Sequence, residues 1–505
     1  MLIYHLGKEV WWKMKKFIDK YFHISEKGSS LKTEIIGGLI TFIAMCYILP
    51  VNASILSDMG MNSLGVFAMT AIVGAIVTLI MGIVANYPIV LSAGMGLNAY
   101  LAYTICGSAG YTWQQGMILL TISGLLFFIF SLTPVRKIII EAIPNDLKLI
   151  ISSALGAFIC FVGLRNSGII IGGSTLVELG NLLNPSTIIA LLSVLLCFGL
   201  MFSKRKMVST LAIPISILVA AVVGVITSSI MIKTGNLVST DSGWVYKTAA
   251  GIIDKLDVKL PIAPWLDESA KWGISGVQDV FAFGLLKDSY TGSDFGKDIV
   301  AVLSKPTSYI GIFSLMFVNL FDTTATLLAV GKNTGIIDEK GKVQNYQKAV
   351  LADAVGAGIC GPLGTSTVTS FAESNVGVEM GAKTGFAAVT AGLLFLLSAF
   401  IYPVFSIFTA GSVTAPALVC VGAMIFVGNF KDINFKDRVA AFTGFITVIF
   451  SLLAYSIATG IGIGLISYVI MMFASGRRKE VGMPIYIIAI LFIVSFALTA
   501  IMQLL

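Results

Sequence analysis

The chain has 505 residues, of which 57% are hydrophobic and only 12% are charged, and its formal net charge is +7. Apolar runs of about 20 residues recur along nearly the whole chain, which excludes a set of soluble domains and indicates a polytopic helical membrane protein. The basic residues lie in short loops, so we interpret the positive charge as orienting the protein in the membrane and not as a nucleic-acid surface. The six cysteines form no C-x-x-C pair, and we expect small apolar core residues with no disulfide framework, metal or cofactor.

The tail at residues 1–32 is basic, and we predict that it lies in the cytoplasm. A run at 8–10 that could be a translated ribosome-binding sequence precedes Met14. Two interpretations stay open, a native start at Met14 or a genuine short extension. Both histidines, His5 and His23, lie in this tail, so a proton relay inside the membrane would have to use carboxylates. We expect no cleavable signal peptide, because the first apolar run is long and leads into further spans.

Fifteen apolar segments follow the tail, and two of them are short enough to be half-helices that start inside the membrane. In chain order they are 33–56, 64–86, the half-helix near 94–105, 114–132, 146–164, 185–202, 208–231, 307–330, 347–360, the half-helix near 370–382, 384–409, 412–429, 438–457, 459–475 and 484–504. We therefore predict an all-α polytopic membrane protein. The last segment is either an additional span or a helix lying on the membrane surface.

The loops between these segments alternate in charge. The basic loops hold Arg136, Lys137, Lys204, Arg205, Lys206, Lys332, Lys340, Lys342, Lys348, Lys383, Lys431, Lys436, Arg438, Arg477, Arg478 and Lys479. The short loops of the opposite set carry no Lys or Arg, with the exception of Arg165 beside the loop 165–184. Because short basic loops stay on the cytoplasmic side, we predict a multi-pass protein of the inner cell membrane with a cytoplasmic N-terminus.

The two halves of the chain resemble each other. The matching pairs are 37–56 with 311–330, 94–102 with 369–378, and 147–168 with 414–434. An odd number of spans in each half makes the repeats inverted, and a site is expected where the paired half-helices meet. We assign 33–231 to the first repeat, 232–306 to an extracytoplasmic connecting loop, 307–476 to the second repeat and 484–505 to an extra C-terminal hydrophobic helix.

The stretch 361–385 is too polar and too rich in glycine for a lipid-facing helix. It opens with Gly, Pro and hydroxyl residues, which favour extended or turn backbone, and it then carries Glu373 at membrane depth. A charge at that depth costs at least about 3 kcal/mol on insertion scales, so such a residue usually faces a cavity and marks a pathway. Irregular backbone there has to be buried in protein or line a cavity. A half-helix that starts inside the membrane would direct unpaired N–H groups and a positive dipole end into that cavity.

Further polar residues interrupt other apolar segments. Asp322 lies in VNLFDTTATL, and Asn319 lies one turn earlier on the same helical face. Asn98 follows Gly96 in GMGLNAY. These residues predict a site for a planar, polar ligand, because carboxylates accept hydrogen bonds from N–H groups, amides donate and accept, and glycine lets backbone approach a ligand closely. Either Asp322 or Glu373 could also bind a coupling proton, since a buried carboxyl group holds its proton more tightly.

Each of these residues also has a purely structural interpretation. For Asp322 and Glu373 the alternative is a hydrogen bond that ties helices together, and for Asn98 and Asn319 it is an amide that joins helices. A structural role is favoured for Asn52 and for the Ser and Thr cluster at 365–370. Packing or interface positions are favoured for Tyr47, Tyr100 and Tyr455.

Several motifs, in consistent order along roughly residues 30–480, resemble one known family. They are GMGLNAY, VNLFDTTATL, LADAVGAGICGPLGTSTVTSFAES, TAPAL at 414–418 and YSIATGIGIGLISYV at 455–469. In these motifs the chain resembles the AzgA-like purine permeases, which are the adenine, guanine and hypoxanthine branch of the nucleobase–cation symporter-2 superfamily. The resemblance implies the UraA-like fold of the uracil and xanthine permeases, with fourteen spans in a 7+7 inverted repeat.

The resemblance also implies a division of labour between two domains. A core domain of spans one to four and eight to eleven binds the substrate, and a gate domain of spans five to seven and twelve to fourteen supports it, usually in a homodimer. The implied activity is proton-coupled purine uptake by an elevator-like movement. The implied partners are therefore a purine nucleobase, a proton, the lipid bilayer and a second copy of the chain, without nucleic acid.

The family's site residues can be carried over position by position. The span-eight acid falls on Asp322, the span-ten Glu on Glu373, and the span-three Gly and Asn on Gly96 and Asn98. The full set of predicted substrate-binding residues is Glu373, Asp322, Asn98, Gly96, Asn319 and Ser374. Proton coupling is predicted for Asp322 and Glu373.

Four positions depart from the family pattern. The family commonly has V-D-x-F-D where this chain has Asn319 in place of the first acid, and A-P-G-M-G where this chain has Ser92 and Ala93 before Gly94. A family Glu in span four corresponds to Ser123. The amide at 319 removes a possible proton site beside the span-eight acid, so the preferred purine and the coupling stay open.

Other functions were weighed against purine transport. A transporter of uracil, xanthine or a small anion on the same fold is the nearest alternative, although an anion carrier would prefer a cationic residue at the half-helices. A membrane-embedded enzyme would need a constellation of His, Cys or Ser with a base, which the sequence lacks. A channel would differ in showing no dependence on the proton gradient and no saturation at low substrate concentration.

Overall fold

The structure is a computed structural model that describes residues 2–133, 143–173, 176–240, 243–248, 251–253, 260–261, 273–274, 276–287, 289–334, 345–371 and 373–504. Within these residues the chain is mostly helical, and the strands are all short. Seven of the described helices are long and apolar enough to cross a membrane, or eight if a pair bent by 86° at residues 292–320 counts as one span. Several further helices are apolar but shorter.

The helices are numbered here in chain order. Their bounds are α1 Leu2–Phe22, α2 Leu31–Met45, α3 Ile48–Ser57, α4 Ser63–Ile80, α5 Met95–Ala99, α6 Trp113–Leu132, α7 Asn145–Asn166, α8 Pro185–Met201, α9 Lys206–Thr210, α10 Ala212–Lys233, α11 Val277–Val280, α12 Gly292–Ser304, α13 Pro306–Thr334, α14 Tyr346–Ile359, α15 Ser374–Glu379, α16 Gly385–Ser398, α17 Tyr402–Ser406, α18 Gly411–Phe430, α19 Arg438–Leu453, α20 Ile457–Ala474 and α21 Met483–Leu504. Two π-helical turns, Met81–Ala85 and Tyr100–Ser108, extend α4 and α5, and 3₁₀ turns lie at Phe281–Gly284 and Arg478–Glu480.

Within the described ranges, seven short strands accompany these helices. They are β1 Leu91–Ala93, β2 Ile170–Gly173, β3 Leu176–Leu179, β4 Leu237–Thr240, β5 Gly243–Thr248, β6 Gly251–Ile253 and β7 Val368–Ser370. The strands β4, β5 and β6 form an antiparallel sheet inside the predicted connecting loop. That segment also contains the helix α12, so part of the predicted connector has regular structure of its own.

The two half-helices are preceded by a pair of antiparallel strands. In this pair β1 and β7 align Leu91 with Ser370 and Ala93 with Val368. β-Branched residues in TSTVTS favour extended backbone, and the two chains satisfy each other's backbone groups where no water is available. The prediction of extended backbone before the second half-helix is therefore confirmed, while the strand pairing itself was not predicted.

The half-helices differ from their predicted lengths. The first, expected near 94–105, consists of α5 and the π-helical turn that follows it. The second, expected near 370–382, is shorter, because residues 368–370 belong to β7 and the helix α15 has only 6 residues. The Thr and Ser residues of β7 already have their backbone hydrogen bonds to β1. Starting the helix at these residues would break those bonds, so they stay extended.

The first predicted span is broken near its middle. α2 ends at Met45 and α3 begins at Ile48, with Tyr47 at the junction. Pro50 lies in the first turn of α3 and has no N–H to continue the hydrogen bonds of α2, which is a common cause of such a break. The junction brings the ring of Tyr47 into the interior, where only 3% of it is exposed.

The helices pack in two groups. In the first group, which contains α2 to α6 and α13 to α17, α16 packs on α2 and α4 while α14 packs on α6. In the second group, α18 packs on α7, α8 and α10, and α19 packs on α7 and α20. The extra C-terminal helix α21 contacts one helix of each group, α13 and α20.

Candidate functional site

The predicted acid Glu373 lies between β7 and α15, where the extended chain turns into the half-helix. The hydroxyl of Tyr47 donates a hydrogen bond of 2.9 Å to its Oε1 atom. No other side chain of the described residues bonds this carboxylate, so most of its capacity to accept hydrogen bonds is free for a ligand. The tyrosine, expected to be a packing residue, therefore contacts the site directly.

Ser374, the residue after Glu373, makes a hydrogen bond to the chain segment before β1. Its Oγ accepts a hydrogen bond of 3.0 Å from the backbone N–H of Val90, and the N–H of Phe371 donates to the carbonyl of Val90 at 3.1 Å. These bonds hold the start of α15 against the chain that leads into β1. Ser374 can still donate its own hydroxyl proton, and its predicted contact with a ligand stays a prediction.

Asn98 belongs to a buried network of amides and hydroxyls. Its Nδ2 donates to Oδ1 of Asn52 at 2.9 Å, and Ser366 donates to the same oxygen at 3.0 Å. The Nδ2 of Asn52 in turn donates to Thr70 at 2.8 Å and to Thr365 at 3.1 Å. Every hydrogen-bonding position of Asn52 is thereby used within the protein, as its favoured structural role requires. The Oδ1 of Asn98 is buried and has no partner among the described residues.

Asn319 lies on α13 and is only 2% exposed. Neither its Oδ1 nor its Nδ2 has a partner within the described part of the chain. A buried polar group without a hydrogen bond costs about 1–3 kcal/mol, so these atoms are the ones a bound ligand would stabilise most. Asn98 on α5 thus offers one hydrogen-bond acceptor, its Oδ1. Asn319 on α13 offers both an acceptor, Oδ1, and a donor, Nδ2.

For two other predicted site residues, Asp322 and Gly96, the structure gives no information on ligand binding. Asp322 lies in the helix α13, and its side chain is outside the described residues. Gly96 lies in α5, where a Cβ atom would come 2.3 Å from Cδ1 of Leu155 on α7. The structure therefore uses the missing side chain of Gly96 for close packing of α5 on the second helix group.

The buried acid Asp353 on α14 was not predicted as a site residue. It is 0% exposed, and its Oδ1 accepts hydrogen bonds from the backbone N–H of Ser370 at 2.9 Å and from its hydroxyl at 2.8 Å. Its Oδ2 accepts from the hydroxyl of Thr323 at 2.6 Å. Asp353 therefore ties β7, three residues before Glu373, to the turn of α13 next to Asp322. The rule that selected the other acids, a carboxylate within an apolar segment, also applies to Asp353.

A second polar cluster joins the two helix groups at the end of the bundle opposite α1. The hydroxyl of Tyr103 donates to Asp58 at 2.7 Å and accepts from Asn166 at 2.7 Å. The Tyr103 ring lies 6.1 Å from the ring of Tyr455, over which the guanidinium of Arg165 lies at 4.6 Å. Asp58 and Tyr103 belong to the first group. Arg165 and Asn166 are the last residues of α7, and Tyr455 follows α19, so these three belong to the second group. The cluster borders an open cavity of about 980 Å³.

The chemistry available at the site is hydrogen bonding and proton binding. Within the part of the chain that the structure describes, no group of three or more His, Cys, Asp or Glu is arranged to hold a metal ion. Among the described atoms of the predicted site residues, those open to a ligand include the second carboxylate oxygen of Glu373, the Oδ1 of Asn98 and the amide of Asn319. They suit a neutral ligand with several N–H and carbonyl groups.

Comparison with known families gives one match that covers most of the chain. Residues 32–463 match the family Xan_ur_permease, described as a permease family. The match includes every residue of the predicted site.

Curated relatives resemble the chain over almost its whole length. A putative permease, MJ0326, of Methanocaldococcus jannaschii is 36% identical over 95% of this chain and 98% of its own. The guanine/hypoxanthine permease PbuO of Bacillus subtilis is 36% identical over 94% of this chain and 99% of its own. The adenine permease AdeP of Escherichia coli is 31% identical over 94% of this chain and 95% of its own.

Solved structures share the fold at low sequence identity. The transmembrane domain of the cyanobacterial bicarbonate transporter BicA aligns with a TM-score of 0.54 at 13% identity, over 85% of this chain and 97% of that chain. The predicted fold class, a mostly helical polytopic fold of the inverted-repeat transporter type, is thereby confirmed. The count of fourteen spans stays a prediction.

Proposed function

Because the chain belongs to this permease family and is a transporter and not an enzyme, we propose that it carries purine nucleobases across the cell membrane together with protons. The observation that carries the proposal is the set of open polar atoms around the paired half-helices, at Glu373, Asn98 and Asn319. A purine presents several N–H and acceptor groups in one plane and could satisfy these atoms together. Relatives named as guanine/hypoxanthine and adenine permeases support the same substrate class.

In this proposal Glu373 accepts hydrogen bonds from ring N–H groups, and the Tyr47 hydroxyl keeps its carboxylate in place. Asn98 and Asn319 contact the remaining edge of the base, with Ser374 and backbone near Gly96 completing the site. Asp322 is proposed as a second acid on the ligand. Glu373 and Asp322 are also the proposed proton-binding groups, since both are acids placed within apolar segments and the chain has no histidine outside its N-terminal tail.

The division of the helices into two groups supports the proposed movement. The first group contains both half-helices and would act as the substrate-binding core. The second group would act as the gate. In the elevator movement the core would slide along the gate. The boundary between them is formed by few helices, among them α5 on α7 and α13 on α20. We further propose that the protein lies in the inner membrane with its N-terminus in the cytoplasm. We also propose that it forms a homodimer through the gate group, and that residues 33–231 and 307–476 are the inverted repeats.

Uptake of radiolabelled bases tests the function. Cells that lack their own nucleobase permeases should accumulate adenine, guanine or hypoxanthine when they make this protein, and a protonophore should abolish the uptake. Competition by unlabelled uracil and xanthine separates the purine proposal from the nearest alternative. Absence of purine uptake by protein shown to be in the membrane would overturn it.

Two substitutions test the proposed acids. We expect Glu373→Gln and Asp322→Asn each to lower uptake by about tenfold or more, because a hydrogen bond to a charged group is worth roughly 1.5–3 kcal/mol. Glu379→Gln is the matched control, since Glu379 lies on the same short helix but faces outward and pairs with Lys206 at 3.2 Å. Uptake at the unmodified level in both acid variants, at equal protein in the membrane, would contradict their roles.

A further inference from the structure

The N-terminal helix α1 has an exposed apolar stripe. Met14, Phe17 and Tyr21 are 52%, 69% and 47% exposed, and their spacing of three and four residues puts them on one helical face. The rings of Phe17 and Tyr21 lie 6.3 Å apart. A continuous apolar face of this kind is unfavourable in water and indicates a surface that binds something apolar.

Basic residues flank this stripe. Lys13, Lys15, Lys16 and Lys20 are all exposed, and the same turns contain a single acid, Asp19. The carboxylate of Asp19 is engaged by the backbone N–H and hydroxyl of Ser25, both at 2.8 Å. An apolar face between lysines is typical of a helix that lies in the plane of a membrane surface and binds anionic lipid headgroups.

The C-terminal end of α1 is fixed to the first helix group. Phe22 is buried with its ring 5.4 Å from that of Phe386 on α16, and its carbonyl accepts a hydrogen bond of 2.9 Å from Asn86. The hydroxyl of Tyr21 donates to the carbonyl of Ile83 at 3.2 Å. The side chains of Ile83 and Val84 are 44% and 52% exposed. The apolar stripe therefore continues into the outward, lipid-facing surface at the end of α4.

We propose that α1 lies on the cytoplasmic leaflet of the membrane, with Met14, Phe17 and Tyr21 inserted below the headgroups and the lysines bound to anionic lipids. The inference rests on the proposed orientation of the chain, with α1 on the cytoplasmic side. A lipid surface fits better than a soluble partner, because the stripe is continuous with surface that already faces lipid and because its flanks are basic.

The test uses the full chain in lipid nanodiscs made of phosphatidylcholine alone or with one third phosphatidylglycerol. An environment-sensitive fluorophore is attached at Phe17→Cys in a variant whose six cysteines are replaced, and at Lys16→Cys as the matched control. We expect the label at 17 to shift to an apolar environment and to be quenched by lipid-borne nitroxide in anionic discs, with the label at 16 in water. The shift at 17 should shrink as salt is raised.

A second measurement does not depend on cysteine replacement. Trypsin cleavage of the unmodified protein after Lys16 and Lys20 should be several-fold slower in anionic discs, and Phe17→Asp should restore the rate. Equal cleavage in both lipids, or a water-exposed label at 17 in both, would overturn the proposal. Protection that is independent of lipid charge and grows with protein concentration would also overturn it and would assign the stripe to a second copy. None of these readings depends on uptake, so they separate this proposal from the proposed transport.

Discussion

Asp353 joins two elements that border the proposed site. Its carboxylate accepts three hydrogen bonds from Ser370 and Thr323, which belong to β7 and α13. The same bonds set the distance between the half-helix that begins at Glu373 and the helix that contains Asp322. Asp353 is therefore a positioning residue for both proposed acids.

Replacing Asp353 by Asn tests this role. The amide would turn one acceptor into an N–H₂ group facing the donors of Ser370 or Thr323, so we expect uptake to fall by about tenfold or more, since a hydrogen bond to a charged group is worth roughly 1.5–3 kcal/mol. Thr323→Val removes one of the three hydrogen bonds, so uptake should fall less than in Asp353→Asn. Asp432→Asn, an exposed acid in a loop, is the control. Uptake by Asp353→Asn equal to that control, at equal membrane levels, would show that the three bonds do not matter.

At the scale of elements, two glycines allow α7 and α18 to cross closely. A Cβ at Gly422 would lie 2.5 Å from the backbone N of Cys160 and 2.6 Å from the carbonyl oxygen of Gly156. A Cβ at Gly156 would lie 2.7 Å from the carbonyl oxygen of Gly422. Small residues at such crossings let helix backbones approach in membranes, where burial of apolar surface gives no driving force. The crossing holds the second helix group together.

Gly422→Ala should destabilise the protein, because the added methyl group meets backbone atoms that cannot rotate away. We expect a loss of about 1–3 kcal/mol, as is typical of overpacked interiors, seen as a lower midpoint of thermal unfolding in detergent. Gly428→Ala on the same helix is the control, since nothing lies within 4 Å of a Cβ placed there. Equal midpoints for the two variants would mean that the crossing relaxes at no cost.

At the scale of the molecule, the two helix groups meet through a few contacts that any sliding motion has to break. The cluster of Asp58, Tyr103, Asn166, Arg165 and Tyr455 is one of them, at the end of the bundle opposite α1. Arg165, the exception among the uncharged loops, is used there as a partner of an aromatic ring. With the proposed orientation, this cluster closes the outer side of the transporter.

Tyr103→Phe tests the closure, because it removes the hydroxyl between Asp58 and Asn166 and keeps the ring. We expect a cysteine at Thr104, which is 8% exposed and donates to the carbonyl of Tyr455 at 3.3 Å, to react several-fold faster with a membrane-impermeant maleimide. The labelling uses a variant without the six native cysteines. Tyr309→Phe, which removes an exposed hydroxyl bonded to Leu303 at 2.7 Å, is the control. An unchanged rate in Tyr103→Phe would rule out a closing role.

The sequence by itself predicted most of the apolar helices and the polar residues that interrupt them, because both are visible among neighbouring residues. Hydropathy along each segment predicted the helices, since membrane insertion sums over about 20 consecutive residues. The Gly, Pro and hydroxyl residues before Glu373 predicted extended or turn backbone, and the position of that acid in an apolar stretch marked it as a candidate site residue. The basic character of the tail that contains α1 is likewise visible in the sequence, whereas its helix and its exposed apolar stripe were not predicted.

The tertiary structure was needed wherever the partner lies far along the chain. Tyr47 meets Glu373 across 326 residues of sequence, and Asn52 meets Ser366 across 314. β1 and β7 pair across a similar distance, which shortened the second half-helix. Such contacts depend on the accumulated geometry of many helices and loops, and a small change in any of them moves the partner out of hydrogen-bonding range. For that reason residue types and spacing could mark the polar residues but could not tell which hydrogen bonds they make and which atoms stay open for a ligand.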